Sequence, residues 1–372
     1  MTLLLGLSAH DAQVSWLDLL PGSVAHAARA PVPFEGDFTV PVDPKELEKF
    51  CKRHNAVTGD LIFDRSYAQR DLSAVSCIHR VDGRLVIKKT PALERLDGLV
   101  LDQMAGVPLK ALRIVDNAAL VDVSGLTNGV ELRTTRLVLQ GNGRLQEAKG
   151  LPEVGSGSDV IVADNIDLVD FEGPNGLRRS TRLGEVYIGN NPRLVRISGF
   201  DRVVAAESVS LKANARLREL HGFPRIQEAG TWEVVGHPLL VDWRAGPLLS
   251  TLGSFEVRDC DGLEALPGLP DLNRVGSVRI IDNISLSSVA GLTVSRSGHP
   301  TVDTLVVTGN PNLPDRATAQ LLERLHLPSG GDAVKIEGNG AGTAPPATEP
   351  WDQQRSSELK APDLGPSDGA GE

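Results

Sequence analysis

The chain has 372 residues, a formal net charge of −10 and a pI near 5.4. That balance argues against a nucleic-acid surface or an anionic membrane as partner, and leaves proteins, carbohydrates and small molecules open. Only 4% of the residues are aromatic against 41% hydrophobic, which suits a narrow core of aliphatic layers.

Residues 1–33 begin with an apolar run, Thr2 to Ala9, in the manner of the end of an export signal's apolar region, without the basic start that precedes one. No stretch of the chain reaches the ~18–20 apolar residues needed to span a bilayer. Residues 34–57 read as an N-terminal cap. Gly36 to Val40 forms a first half-rung, and Asp43-Pro44 then opens a helix with Asp at the N-cap and Pro at the first helical position. Leu47, Phe50 and Cys51 fall on one face of that helix. A stack of repeats leaves its first apolar layer bare unless something covers it, and this helix is the expected lid.

Residues 58–340 carry a repeat. Val186, Ile188, Asn191, Leu194, Ile197, Gly199 and Phe200 recur 23 residues on as Val209, Leu211, Asn214, Leu217, Leu220, Gly222 and Phe223. They recur again as Phe255, Val257, Cys260, Leu263, Leu266, Gly268 and Leu269, with Cys in the Asn slot. That slot picks out Ser66, Thr90, Asn117, Asn142, Asn165, Asn191, Asn214, His237, Cys260, Asn283, Asn310 and Asn339, at spacings of 23 to 29 residues. Such a period marks a solenoid.

The physics of the pattern is local. An apolar residue, one of any kind and a second apolar residue make a short strand with one buried face. The chain then turns a corner whose backbone groups the next strand cannot reach, and an inward Asn can both donate and accept there. The Leu three residues later and the apolar residue three further on fill the next edge. The Gly near the end of the repeat offers a positive φ for the reversal. The expectation is a β-solenoid of about twelve rungs with one short parallel strand per turn. A second helix lies between Pro314 and His326, with Leu321, Leu322 and Leu325 as its apolar stripe, in the last repeat. Residues 341–372, rich in Gly, Ala, Pro, Ser and acid, read as a flexible tail in which Trp351 is isolated.

The unit Gly-x-Val-x-Ile-x-x-Asn-x-x-Leu-x-x-Leu-x-Gly-Leu/Phe resembles the receptor L-domain repeat, seen in the ectodomains of insulin- and EGF-type receptors and in bacterial surface proteins. The resemblance covers roughly residues 34–340 and is best between 111 and 313. Asn310-Pro311-Asn312-Leu313 and Val334 to Asn339 look like the closing repeat of the bacterial members. The absence of Cys after Pro314 departs from the extra cysteines those members carry. The resemblance implies a right-handed, leucine-rich-repeat-like coil used for binding and not catalysis. It also favours export to the cell envelope or the medium.

Chemistry is sparse. There is no His-Glu-x-x-His or paired Cys-x-x-Cys to hold a metal, no phosphate-cradling loop, and no cofactor is expected. Asn283-Ile284-Ser285 matches a glycosylation sequon, but Asn283 is a ladder residue and should point inward. Cys51 on the cap helix and Cys77 in the first turn should pair in an oxidising compartment and clamp the lid, leaving Cys260 a buried thiol. One outward residue per strand gives a column. Its first six members, Ile62, Val86, Arg113, Val138, Ile161 and Tyr187, have the composition of a binding face. If that face is open, Val138→Asp with Ile161→Asp should leave the fold intact. Alternatively, these residues merely suit strands, or the N-terminal segment folds over them.

Further along the column Glu233 and Glu256 stack one turn apart, the close pairing of carboxylates that a retaining glycosidase uses. Arg279 and Arg258 beside them point instead to a solvated charge column, and Asp159 and Glu185 beside Arg136 form a similar one. The functional expectation is a non-catalytic extracytoplasmic module that binds a protein or carbohydrate through the outward sheet face. A structural protein that self-associates through that face is the alternative, and a polysaccharide-active enzyme a weaker one.

Overall fold

Short strands that recur every turn can satisfy their backbones only by lying side by side. The computed structural model describes residues 32–101, 107–127, 132–174, 181–269, 272–292, 302–325, 327 and 333–340. They form a parallel β-solenoid whose long wall is one 13-stranded sheet. Its strands are Phe38–Thr39, Leu61–Phe63, Arg84–Lys88, Ala111–Val115, Arg133–Gln140, Glu153–Ala163, Thr181–Gly189, Val203–Lys212, Glu228–Val235, Thr251–Arg258, Arg274–Ile281, Thr304–Thr308 and Val334–Glu337. Each pairs with the next in chain order. A second, five-stranded wall covers the middle turns, from Glu147–Ala148 to Asp242–Trp243, and a three-stranded one begins at Pro33–Phe34. The expected N-terminal segment and acidic tail, with Trp351, fall at 1–31 and 341–372, outside the described residues; so does most of the loop at 293–302.

From Thr90 to Asn339 the slot residues line the interior as a hydrogen-bonded ladder, whereas Ser66 is half-buried and bonds to Asp64 instead. The N–H of Asn142 donates to Asn165 Oδ1 (3.0 Å), that of Asn165 to Asn191 Oδ1 (3.0 Å) and that of Asn191 to Asn214 Oδ1 (3.1 Å). Each carboxamide Nδ2 returns the bond to a strand carbonyl of the preceding rung; Asn191, for example, donates to Val162 O at 3.1 Å. His237 continues the chain by accepting the Asn214 N–H on Nδ1 and donating from Nε2 to Leu211 O. Burial lowers its pKa to about 4, so it works as a neutral carboxamide substitute. Cys260 does the same with a thiol that burial pushes up to about 12. Three residues after each slot from Asn117 to Asn310 a Leu closes a turn onto the slot carbonyl, as Leu194 does on Asn191 and Leu217 on Asn214, and fills the core.

The corner needs a left-handed residue, and its position differs from the one expected. Of the glycines that end a repeat, eight residues after a slot, Gly98, Gly150 and Gly199 have a positive φ, whereas Gly125, Gly173, Gly222, Gly268 and Gly291 do not. The recurrent left-handed residue lies immediately before the slot: Lys89, Asp116, Gly141, Asp164, Asn190, Ala213, Gly236, Asp259, Asp282, Gly309 and Gly338. Gly, Asn and Asp tolerate that region best, which explains most of these choices. Lys89 and Ala213 are the exceptions.

The two ends differ. At the start, helix α1 (Pro44–Cys51), capped by the Asp43 carboxylate accepting from the Lys45 N–H, stacks Phe50 on Phe38 at 3.7 Å between ring centres. The Cys51–Cys77 disulfide ties that helix to the next turn, with Cα atoms 5.6 Å apart. Near the other end, helix α2 (Asp315–Leu325) buries Leu321 and Leu325 in the core. The last strand, Val334–Glu337, is the edge of the sheet and keeps even its inward residues half-exposed.

Candidate binding site

Continuous register turns each outward position into a column running the length of the coil. The column expected from sequence is unbroken: Ile62, Val86, Arg113, Val138, Ile161, Tyr187, Ser210, Glu233, Glu256, Arg279, Val306 and Lys335 pair in that order. Its exposure is not as expected. Ile62, Val86 and Arg113 are half-buried, but Val138, Ile161 and Tyr187 are 1%, 0% and 3% exposed. With Ala163 they form a small apolar cluster separate from the main core. Rung spacing of about 4.8 Å does not by itself account for this, since Ile62 and Val86 stand in the same column at the same spacing and stay half-buried. The Tyr187 ring lies along its own strand, filling the space a side chain at Gly189 would take. Burial pushes its phenol well above the ordinary range. The centre of the proposed face is therefore structural, and Val138→Asp with Ile161→Asp cannot leave the fold untouched.

The carboxylates of the same column are ion-paired. Glu256 lies 3.3 Å from Arg279 and 3.5 Å from Arg258. Glu233 lies 2.8 Å from Lys212 Nζ and accepts from Ser210 Oγ. Burial alone would raise the Glu233 pKa, but Lys212, Ser210 and Arg258 outweigh it and hold it below the usual value. Asp159 pairs with Arg136 at 3.8 Å and accepts the Glu185 N–H. Glu185 is shifted the other way, raised first by burial and then by Asp159.

A concave site lies beside this column, in the C-terminal half of the wall. Pairing lapses at one position per strand, between Ala206/Ala229 and Ser208/Thr231 and again at the same place in the next two strands. The residues at the lapse are Glu207, Gly230, Gly253 and Gly276. A Cβ on Gly230 would overlap the Glu207 carbonyl, one on Gly253 the Gly230 carbonyl, and one on Gly276 the Gly253 carbonyl. Only glycine fits, and the missing side chains leave a groove of about 570 Å³ crossing several rungs. One bank is the column Arg182, Ala205, Glu228, Thr251, Arg274. Arg182 pairs with Glu228 by reaching across Ala205, which is small enough to let it pass. One residue beyond the lapse, outside the groove's lining, runs a hydroxyl column, Ser208, Thr231, Ser254, Ser277 and Thr304, whose last two members bond at 2.9 Å. Arg274, Glu207 and Asp303 line the groove and make no ion pair among the described residues.

The arrangement offers donors, acceptors and charges of both signs over a floor without side chains. Sequence reading missed it, although the signal was there: Gly230, Gly253 and Gly276 recur at the 23-residue period of the slots. Among the described residues no group of His, Cys, Asp and Glu has the geometry of a metal site, and no helix is long and apolar enough to cross a membrane. Comparison with protein-family models, curated proteins and solved structures yields no match for this chain.

Proposed function

We propose that the chain is a non-catalytic, extracytoplasmic binding module that holds an extended glycan in the groove between Arg182 and Asp303. The observation that carries this reading is the glycine-floored groove itself, which crosses successive rungs where the rest of the outward column is packed or flat. A polyhydroxylated chain laid along the coil axis would meet the strand carbonyls of Glu207, Gly230 and Gly253, which have no side chain over them, and the Arg182, Glu228, Thr251 and Arg274 side chains of the bank. The polar and charged side chains that line the groove, Arg182, Glu207, Glu228, Thr251, Arg274 and Asp303, suit a polyhydroxylated ligand. The Cys51–Cys77 bond belongs to an oxidising compartment and supports export. The repeat also supports a right-handed receptor-L-domain-like coil of about twelve rungs with α1 as its cap.

A polysaccharide-active enzyme has weaker support at Glu233 and Glu256. A retaining mechanism needs one carboxyl that holds a proton beside one that is ionised, and here both carboxylates are ion-paired, Glu233 with Lys212 and Glu256 with Arg279 and Arg258. A glycan array followed by calorimetric titration of the best ligand tests the proposal. Arg274→Ala with Thr251→Ala should weaken binding at least about tenfold, the loss expected of two or three hydrogen bonds, one of them charged, with melting unchanged. An array without binders, or a titration indifferent to both substitutions, refutes it.

A further inference from the structure

Among the described residues the last strand is an unpaired edge, and its sequence is complementary to itself. In the parallel ladder Leu305 N–H donates to Ala333 O and Gly309 N–H to Glu337 O. Alternate residues of a strand present their backbone groups to opposite sides. Ala333, Lys335 and Glu337 therefore bond back to Thr304–Thr308, and Val334 and Ile336 point their N–H and C=O groups away from the coil. Val334 and Ile336 also face the interior but stay half-exposed, and among the described residues no further rung lies on them. Lys335 and Glu337 face outward and are exposed, and pair with each other at 3.3 Å.

We infer that this edge is a two-fold interface with a second copy of the chain, in which the two Val334–Glu337 strands pair antiparallel about Ile336. Three independent features agree on that register. The two-fold at Ile336 sets Ile336 against its own mate, and these residues carry outward-pointing N–H and C=O groups, so they exchange two hydrogen bonds. It keeps apolar side chains on the inner face, so the two cores run on through the joint. It also places Lys335 opposite the mate's Glu337 and Glu337 opposite the mate's Lys335, in the non-hydrogen-bonded positions where side chains stand closest. A two-fold at Lys335 would set Lys against Lys at its centre and oppose backbone groups already used in the ladder.

The interface closes as a dimer. A two-fold pairing uses the same edge on both copies and so closes on itself, and at the opposite end α1 stacks on a sheet edge formed by the two-residue strand Phe38–Thr39. One short strand and the end of a coil bury little area, which places the dimer in the weak, concentration-dependent class.

Sedimentation equilibrium of the full chain, from micromolar to millimolar, should show monomer and dimer with nothing larger. Lys335→Glu alone, or Glu337→Lys alone, creates two like-charge pairs by symmetry and should weaken the dimer about tenfold. The two changes together restore opposite charges and should return the dissociation constant to within about threefold of the original. Both positions are exposed, so melting should not change. Ile336→Arg, checked by circular dichroism, should abolish the dimer. A chain that stays monomeric throughout overturns the inference. So does a dimer indifferent to the single reversals, or one that the double reversal fails to restore.

Discussion

The two halves of the long wall share an interior and differ outside. From Ile62 to Tyr187 the outward column is apolar apart from Arg113, and at Val138, Ile161 and Tyr187 it is as buried as the core. From Ser208 to Thr304 the same sheet carries hydroxyls and charges, and hollows into a groove over Gly230, Gly253 and Gly276. Inside, both halves run the same ladder of slot residues and the same stack of leucines. The period constrains only what faces inward, because there every rung must satisfy the backbone of its neighbour. Outward residues answer to no such rule, so one half can serve stability and the other can serve a ligand.

The largest test of that division lies in the first half. Val138→Asp with Ile161→Asp buries two unpaired carboxylates in an apolar cluster and should cost more than about 4 kcal/mol, enough to unfold a marginal chain. Ser254→Asp, at a half-exposed place in the second half, should change stability by less than about 1 kcal/mol. Urea denaturation followed by circular dichroism measures both. If the double variant melts like the parent, the first half is open after all and the contrast disappears.

The shared interior makes a prediction with a sign. His237 has a folded pKa of about 4 against 6.5 for the free side chain. Protons therefore bind the unfolded chain first as pH falls. The neutral His contributes its full stability above pH 6.5, and that contribution is lost as pH drops towards 4, by about 3 kcal/mol in all. His237→Asn puts a carboxamide back in the ladder, where it can accept from Asn214 as its neighbours do. Wild type and variant should therefore match near pH 8 and diverge below 6.5, with the variant the more stable. Parallel curves across that range would mean that His237 is not sealed inside.

The interior was the readable part of the sequence. Asn191, Asn214 and Leu217 are tied to fixed distances in the repeat by the chemistry of a corner, and no other residue types do that work equally well. Cys51 and Cys77 were readable for a similar reason, since a helix over the first turn brings them together. The exterior was not. A Val or Ile on a strand looks the same in sequence whether it faces a partner, solvent or a cover, so Val138 and Ile161 gave no sign of their burial. The groove depends on what is missing at Gly230, Gly253 and Gly276, and a glycine in a strand is easily taken for a turn signal. The left-handed corner was also displaced: Asp116, Asp164 and Asp282 stand directly before the slot, where a residue tolerant of positive φ was there to be noticed.

The smallest prediction concerns that corner. Ala213, at φ 52°, holds the position that Gly236, at φ 77°, holds one rung later. A left-handed conformation costs an L-residue with a Cβ about 1–2 kcal/mol, a penalty glycine does not carry. Glycine gives part of this back by enlarging the freedom of the unfolded chain, a loss of roughly 0.5–1 kcal/mol. Ala213→Gly should therefore stabilise the protein by about 0.5–1 kcal/mol, whereas glycine in a strand interior ordinarily weakens it. Ala213 is half-exposed and its N–H bonds to Val235 O, so the exchange leaves that bond in place and opens no cavity. A rise in urea midpoint with an unchanged slope is the expected result. A fall would show that Ala213 packs with its neighbours strongly enough to outweigh its strain, and the corner would then be held by side-chain contact as well as by backbone geometry.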